Sequence, residues 1–252
     1  MSDGYFVADL PDIYGPGDLL AVTGEEAYHM AVVRRLLPGE AVTLTDGKGR
    51  GARCHLTEVS RTRVDLRIAS VLTAQDSLPW VIVVQAIPKT DRGLLAVDLM
   101  TEAGVDAIIP WAASRCQVKW SGEAGEKARG KWVTTAREAS KQSRRLRFPF
   151  IGPVADTGEV AGLVQEADCA LVMHETATQS VAECIVPGRG RVVIVIGPEG
   201  GLTEYEIHRF EQVGGQTYLM GPTVLRTSTA GAVAVSQVRL LAQLGAIVKG
   251  YA

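Results

Sequence analysis

The sequence predicts two folded parts in series: a β-rich N-terminal domain over residues 1–72, and an α/β domain with a mainly parallel sheet over residues 80–252. Three observations predict it. The first 72 residues carry short β-branched runs separated by turn residues. From residue 80 onward, continuous apolar runs alternate with segments of helical spacing. Between them, residues 73–79 (TAQDSLP) are polar and end on proline, as a linker does.

The elements follow in order. Ala41–Thr45, Gly51–Val59 and Arg63–Ile68 read as strands, with Asp46-Gly47-Lys48-Gly49 as a hairpin turn between the first two. A short helix is expected over Glu25–Leu36, stopped by Pro38-Gly39. This set fits a small barrel or half-barrel. Val81–Val84 reads as a strand buried on both faces. Helical spacing follows over 90–103 (Leu95, Leu99, Met100, Ala103), ending at Gly104. Val105–Pro110 is a further buried strand, and a long helix is expected over about 124–143. Three more strands are expected at Cys169–Met173, Val192–Ile196 and Thr217–Met220, with helices between or after them. Thr203 and Glu206 have the spacing of a helix capping box. A last helix, about 229–246, is rich in alanine and valine on one face.

Composition narrows the function classes. Of 252 residues, 46% are hydrophobic and 21% charged, an ordinary globular balance that argues against a disordered or collagen-like chain. No apolar run approaches the roughly 18–20 residues that span a bilayer. Residues 1–6 carry neither a basic nor an apolar leader segment, so no signal peptide is expected. Cys54, Cys116, Cys169 and Cys184 have no CxxC spacing, which argues against a zinc site or a disulfide framework and for a reducing, cytoplasmic setting. The net charge of −2 argues against coating nucleic acid by bulk charge. Two regions are nevertheless basic. Residues 129–147 hold seven cations against one carboxylate, and residues 34–67 hold eight against four. Charge alone leaves open whether these bind a partner or simply face solvent.

The last three strands each run into an unusual loop: His174-Glu175-Thr176, Gly197-Pro198-Glu199-Gly200-Gly201, and Gly221-Pro222-Thr223-Val224-Leu225-Arg226-Thr227. In open parallel sheets, ligands bind beyond the carboxyl ends of the strands. Three such loops side by side would form one pocket walled by backbone and small residues. The dinucleotide fingerprint GxGxxG and the phosphate loop GxxxxGK[ST] are both absent. A carboxylate, Glu199, stands in the middle of the second loop, where it would repel phosphate. A ligand with a neutral or cationic head fits better, and a nucleoside bearing a sulfonium is one. Each loop taken alone also reads as a tight turn.

The strings Ile196-Gly-Pro-Glu-Gly-Gly-Leu-Thr-Glu-Tyr-Glu206 and Leu219-Met-Gly-Pro-Thr-Val-Leu-Arg-Thr-Ser-Thr-Ala230 resemble the two cofactor-binding motifs of the SPOUT superfamily. More closely, the chain is similar to the bacterial ribosomal RNA small subunit methyltransferase E family. Lys89-Thr-Asp-Arg92 followed by Thr101–Val105 resembles that family's lysine segment and its helix end, and Arg115 and the stretch Glu138–Arg144 resemble its middle motifs. Tyr28-His29 through Arg35, then Gly39 and Asp46-Gly47, resemble its PUA-like RNA-binding barrel.

The resemblance implies a PUA-like β-barrel joined to a parallel-sheet methyltransferase domain tied in a trefoil knot, a homodimer, and S-adenosylmethionine as cofactor with no metal. It implies methylation of uridine N3 in 16S rRNA of the small ribosomal subunit. The rival readings are a SPOUT 2′-O-ribose methyltransferase of rRNA or tRNA, and a non-catalytic RNA-binding assembly factor. The cofactor residues it implies are Met173, His174, Glu175, Ile196, Gly197, Pro198, Glu199, Gly200, Gly201, Leu219, Met220, Gly221, Val224, Leu225 and Arg226. The RNA-binding residues it implies are Arg34, Arg35, Lys89, Arg92, Arg115, Gln142, Arg144 and Arg145. Arg226, fully charged at neutral pH, suits stabilising negative charge on uracil O2 and O4, a role worth about 3 kcal/mol. Proton removal from N3 is left to Glu199, His174 or solvent.

Overall fold

The computed structural model describes residues 4–75 and 79–250, with side chains through Gly245. Residues 1–3 and 76–78, on which the leader and linker expectations partly rest, lie outside the described residues. The chain divides into two compact units: residues 1–76 with 140–148, and residues 77–139 with 149–252.

The first unit is a five-stranded sheet in the order β1-β3-β4-β5-β2. Its strands are β1 Gly4–Val7, β2 Leu19–Thr23, β3 Ala41–Thr45, β4 Arg50–Val59 and β5 Arg63–Thr73. β1 runs parallel to β3 and the other pairs are antiparallel. Among the described residues, β1 and β2 do not pair with each other. One face carries Phe6, Val42, Leu44, Leu56, Leu66 and Ile68, all buried. The expected helix over Glu25–Leu36 is shorter and irregular. Helix α1 covers Gly24–Tyr28, and the chain then widens into a π-helical turn, His29–Val33, closed by the Arg34 amide donating to the His29 carbonyl at 2.8 Å. Arg35 adopts φ +54°, which no helix accommodates, so the helix ends before Pro38-Gly39 is reached.

The stretch 140–148, expected within the second domain, groups with the first. The cause is a set of hydrogen bonds over long sequence separation. The Thr45 hydroxyl donates to the Leu146 carbonyl at 2.8 Å, and the Gly49 amide donates to the same oxygen at 3.0 Å. The Phe148 amide donates to Gly47 at 2.9 Å. Gly47, at φ +72°, lies so close to the Phe148 ring that a Cβ there would stand 2.8 Å from it.

The second unit is a six-stranded sheet, β11-β9-β10-β6-β7-β8, in which every pair is parallel. Its strands are β6 Trp80–Ala86, β7 Ala107–Trp111, β8 Phe150–Ile151, β9 Cys169–Met173, β10 Arg191–Ile196 and β11 Gln216–Tyr218. Its helices are α2 Arg92–Glu102, α3 Gly122–Gln142, α4 Thr157–Gln165, α5 Glu204–Glu211 and α6 Thr227–Gly250; α3 begins here and its last residues, from Ser140, belong to the first unit. The apolar runs of β6, β9 and β10 follow from burial on both faces. Val81, Val83, Leu171, Val192 and Ile194 pack with Met100 of α2, Trp132 of α3 and Val238 of α6. The alternate residues Val84, Val172, Val193 and Val195 pack with Val160 of α4 and Phe210 of α5. Residues of a strand alternate between faces, so a sheet covered on both sides needs apolar side chains at every position.

Two contacts seat α6. Gly231 lies so close to Met100 that a Cβ would stand 2.5 Å from its sulfur. Arg239 donates to the Pro79 carbonyl at 2.6 Å and the Gly104 carbonyl at 2.7 Å, and pairs with the buried Asp106 carboxylate at 2.6 Å. Asp106 Oδ2 also accepts from the Val81 amide at 2.8 Å, so one carboxylate ties α6 to the start of β6.

Candidate active site

β11, β9 and β10 are neighbours in the sheet, so the loops beyond their carboxyl ends emerge side by side. Together they line a cleft of about 830 Å³ counted to its open mouth, a size suited to a small molecule. Met173, His174 and Glu175 come from the first loop, and Ile196, Gly197, Pro198 and Gly201 from the second. Leu219, Met220, Gly221, Val224 and Leu225 come from the third. Leu202, Tyr218, Pro222, Thr223, Thr227 and Ala230 also line it, though sequence reasoning did not single them out. All but Tyr218 lie within the strings Ile196–Glu206 and Leu219–Ala230, and Tyr218 precedes the second by one residue, a proximity that could have flagged them.

Each loop is fixed by its own hydrogen bonds. The His174 amide donates to the Tyr218 carbonyl at 3.0 Å, and Thr176 bonds the His174 Nδ1 through its hydroxyl at 2.9 Å. In the second loop, the Gly201 amide turns back to the Pro198 carbonyl at 2.9 Å, and Gly201 takes φ +71°. The third loop is held through the Gln237 amide, which donates to the Met220 carbonyl at 3.0 Å.

The second loop has an external brace. Arg115 Nη1 donates to the carbonyls of Gly200 and Leu202, at 2.8 and 3.1 Å. The Arg115 segment is anchored in turn by Glu206. Its carboxylate accepts from the Ser114 amide at 2.8 Å, and from the Thr203 amide and hydroxyl at 2.8 and 2.7 Å. The expected capping box is thus present, and its glutamate does a second job that the sequence did not reveal. Burial alone would raise the Glu206 pKa, but the amides of Ser114 and Thr203 and the Thr203 hydroxyl outweigh it and hold the carboxyl below its ordinary value.

Three of the residues named from sequence do not line the cleft: Glu199, Gly200 and Arg226. Glu199 is exposed, and its carboxylate accepts from the Lys89 amide at 3.1 Å. Arg226 is exposed just beyond Leu225, and its carbonyl accepts the Thr229 and Ala230 amides that open α6. Of the residues named for RNA, Arg92 and Lys89 are exposed in the second unit, whereas Arg115 is committed to the loop carbonyls. Arg34, Gln142 and Arg144 come together in the first unit, with Arg35 and Arg145 beside them in sequence.

The cleft suits a nucleoside with a cationic head. Ile196, Met220, Val224 and Leu225 supply apolar wall. Among the described residues, the amides of Gly221, Val224 and Leu225 make no hydrogen bond within the chain, so they are free to read a polar edge. A Cβ on Gly221 would meet nothing within 4 Å, which leaves the backbone open to a ligand. Glu175 places a carboxylate on the lining and no lysine or arginine lines it, a charge balance that favours a cationic ligand such as a sulfonium. Among the described residues, no group of three or more His, Cys, Asp or Glu could hold a metal ion, and no helix is long and apolar enough to cross a membrane.

The second unit thus offers a small-molecule cleft at the carboxyl edge of a parallel sheet. The family models make the class an RNA methyltransferase: one described as an RNA methyltransferase domain matches residues 75–239, and one described as an RNA methyltransferase PUA domain matches residues 22–69. A Mycobacterium bovis protein named ribosomal RNA small subunit methyltransferase E is 39% identical over 241 residues, covering 94% of this chain and 91% of that protein. Its Bacillus subtilis namesake is 32% identical, covering 89% and 91%. A crystal structure of the Neisseria gonorrhoeae enzyme of that name, bound to S-adenosylmethionine, superposes with a TM-score of 0.82 at 26% identity, covering 95% of this chain and 98% of that one. A Legionella pneumophila protein solved with bound S-adenosylmethionine gives the same TM-score at 30% identity, with the same coverage. The chain belongs to the ribosomal RNA small subunit methyltransferase E family.

Proposed function

We propose that the protein transfers a methyl group from S-adenosylmethionine to N3 of a uridine in 16S rRNA of the small ribosomal subunit. The observation that carries this reading is the single cleft built from three adjacent loops, with unpaired amides on a largely apolar wall. S-adenosylmethionine, when bound, supplies a methyl group made electrophilic by its sulfonium.

The residues of the chain do the rest. The amides of Gly221, Val224 and Leu225 hold the adenosine edge, and Glu175 complements the cationic centre. Positioning is the main catalytic contribution, because a methyl transfer needs its acceptor in line and at short range. Arg226, exposed at the rim with no carboxylate partner among the described residues, stabilises the charge that spreads onto uracil O2 and O4 as the N3 proton leaves. Of the named proton acceptors, His174 lines the cleft and Glu199 does not, which favours His174 or solvent. Replacing Arg226 by alanine is expected to preserve donor binding and lower transfer by about two orders of magnitude. Wild-type turnover would remove the residue from the mechanism.

Finer features belong to the same reading. A trefoil knot and a homodimer are inferred from the family resemblance, and a cytoplasmic setting from the cysteine usage. Support for the dimer comes from α6, which leaves Leu240 and Leu244 exposed at 55% and 47%. The test of the whole reading is to incubate the protein with labelled donor and small subunits lacking the modification, then map the label. Label at N3 of one uridine supports it, and label on a ribose 2′-oxygen overturns the base assignment.

A further inference from the structure

Two thiols of the second unit take no part in the proposed methyl transfer, yet they stand side by side. Cys169 opens β9, and Cys184 follows a short 3-10 turn, Val181–Glu183. They are 15 positions apart in the chain, and their sulfurs are 3.7 Å apart. Both are free. A disulfide bond is about 2.05 Å long, so a small side-chain rotation would join them. Cys169 is half-buried. Cys184 is 7% exposed, but Ile185 beside it is 89% exposed, so its sulfur lies just beneath the surface. The hydrogen bond between the two thiols, with help from Tyr218, lowers the Cys184 pKa below the ordinary thiol value, and the same bond raises that of Cys169. Cys184 is therefore the better nucleophile, and Cys169 is the thiol placed to answer it.

The pair is connected to the cleft by backbone and by packing. The Val181 amide donates to the Leu219 carbonyl at 2.9 Å, and the Leu219 amide donates to the Gln179 carbonyl at 2.8 Å. Leu219 lines the cleft, as do His174 and Glu175, which lie on the chain between the two cysteines. Cys184 and Val181 pack in one buried cluster with Met173 and Tyr218, and these last two line the cleft as well. In a close-packed cluster, a shift of one member is felt by the others.

We propose that Cys169 and Cys184 form an oxidation site: a peroxide converts the pair to an intramolecular disulfide, and the closed bond weakens S-adenosylmethionine binding in the neighbouring cleft. The effect on the donor rests on reading the cleft as its site; the cross-link does not. In the first step the Cys184 sulfur attacks a peroxide oxygen, the O–O bond breaks, water leaves and Cys184 becomes a sulfenic acid. In the second step the Cys169 sulfur attacks the sulfenic sulfur. The S–S bond forms, the S–O bond breaks, and the hydroxyl departs as water with the Cys169 proton. One peroxide is thereby reduced to two waters while two thiols are oxidised. A dithiol reductant restores both thiols by exchange. Disulfides in a reducing compartment are transient and serve catalysis or redox sensing, which suits a reversible pair. Closing the bond draws Cys184 toward β9 and away from Tyr218, so the 179–181 segment pulls on Leu219 and the third loop.

The test treats the purified protein with hydrogen peroxide, maps the product by non-reducing digestion and mass spectrometry, and measures S-adenosylmethionine affinity by calorimetry before and after. A peptide cross-linked between Cys169 and Cys184, lighter by two hydrogens, is expected. Donor affinity should fall about tenfold and return on treatment with dithiothreitol. Linkage is reciprocal, so saturating donor should make the disulfide easier to reduce by the same factor, raising its potential against glutathione by about 30 mV. C169S and C184S, kept reduced, should bind donor like reduced wild type and should not respond to peroxide. C116S should respond as wild type does. Should C184S fail to fold, C169S, at the half-buried position, decides alone. Cysteines that stay thiols, or that oxidise singly with no cross-link, overturn the site. A disulfide that leaves both donor affinity and potential unmoved overturns its coupling to the cleft. Reduced wild type that binds no donor sinks the methyltransferase reading and the coupling with it, whereas the cross-link stands or falls by the digest, so the two failures are distinguishable.

Discussion

Replacing Glu206 by alanine tests whether the cofactor cleft depends on a residue that never touches it. The carboxylate is fully buried and accepts three hydrogen bonds, from the Ser114 amide and from the Thr203 amide and hydroxyl. Hydrogen bonds to a charged group contribute about 1.5–3 kcal/mol each, and they do not add fully when they share an acceptor. The loss of the set is therefore expected to cost about 3–4 kcal/mol, including the helix cap. The same change frees the Ser114–Arg115 segment, so Arg115 loses its hold on Gly200 and Leu202 and the second loop loosens. Urea unfolding should show the stability loss, and calorimetry should show weaker S-adenosylmethionine binding. The pH dependence follows from the sign of the shift. The folded carboxyl titrates below its ordinary value, so its stabilisation is present in full above the unfolded glutamate pKa and is lost as pH falls through the folded one. Wild type should lose stability over that acidic window more steeply than Glu206→Ala. A variant with unchanged stability and unchanged donor affinity would refute the brace.

Three other outcomes are expected. Gly221→Val projects a branched side chain into open space on the cleft lining, so donor affinity should fall at least about tenfold while thermal stability barely moves; unchanged affinity would place the ligand elsewhere. Asp106→Ala leaves Arg239 and the Val81 amide without their shared acceptor, which should cost about 3–5 kcal/mol in denaturant unfolding. Cys184 lies 3.7 Å from Cys169, sulfur to sulfur, and its hydrogen bond with Cys169, with help from Tyr218, lowers its pKa below the ordinary thiol value. Burial pushes Cys54 up to about 11. Thiolate absorbance should show one thiol ionising below the ordinary thiol range in wild type, and Cys169→Ala should move that step upward.

Much of the second unit was legible because a strand covered on both faces must be apolar at every position. β6, β9 and β10 therefore stand out as unbroken runs. The cleft was legible for a related reason: glycine-proline pairs after buried strands mark where backbone can approach a ligand. The parts that escaped are those set by long-range partners. β1 and β2 are only four and five residues long, and their pairing with β3 and β5 completes them. Nothing local assigns 140–148 to the first unit, because the deciding bond, Thr45 to Leu146, spans 101 positions. The family resemblance names Arg115 for RNA, and a lone arginine in a loop carries no sequence signal of the carbonyls it also meets. Glu206 was read as a cap alone for the same reason, since its second partner, Ser114, is 92 residues away.

Donor binding in one cradle at the carboxyl edge of β9, β10 and β11 underlies the proposed function. A crystal structure of this protein grown with S-adenosylmethionine tests it most directly. The adenosine is predicted to lie in the cleft, within hydrogen-bond distance of the amides of Gly221, Val224 or Leu225. Donor density anywhere else, or a cleft left empty at saturating donor, would contradict it.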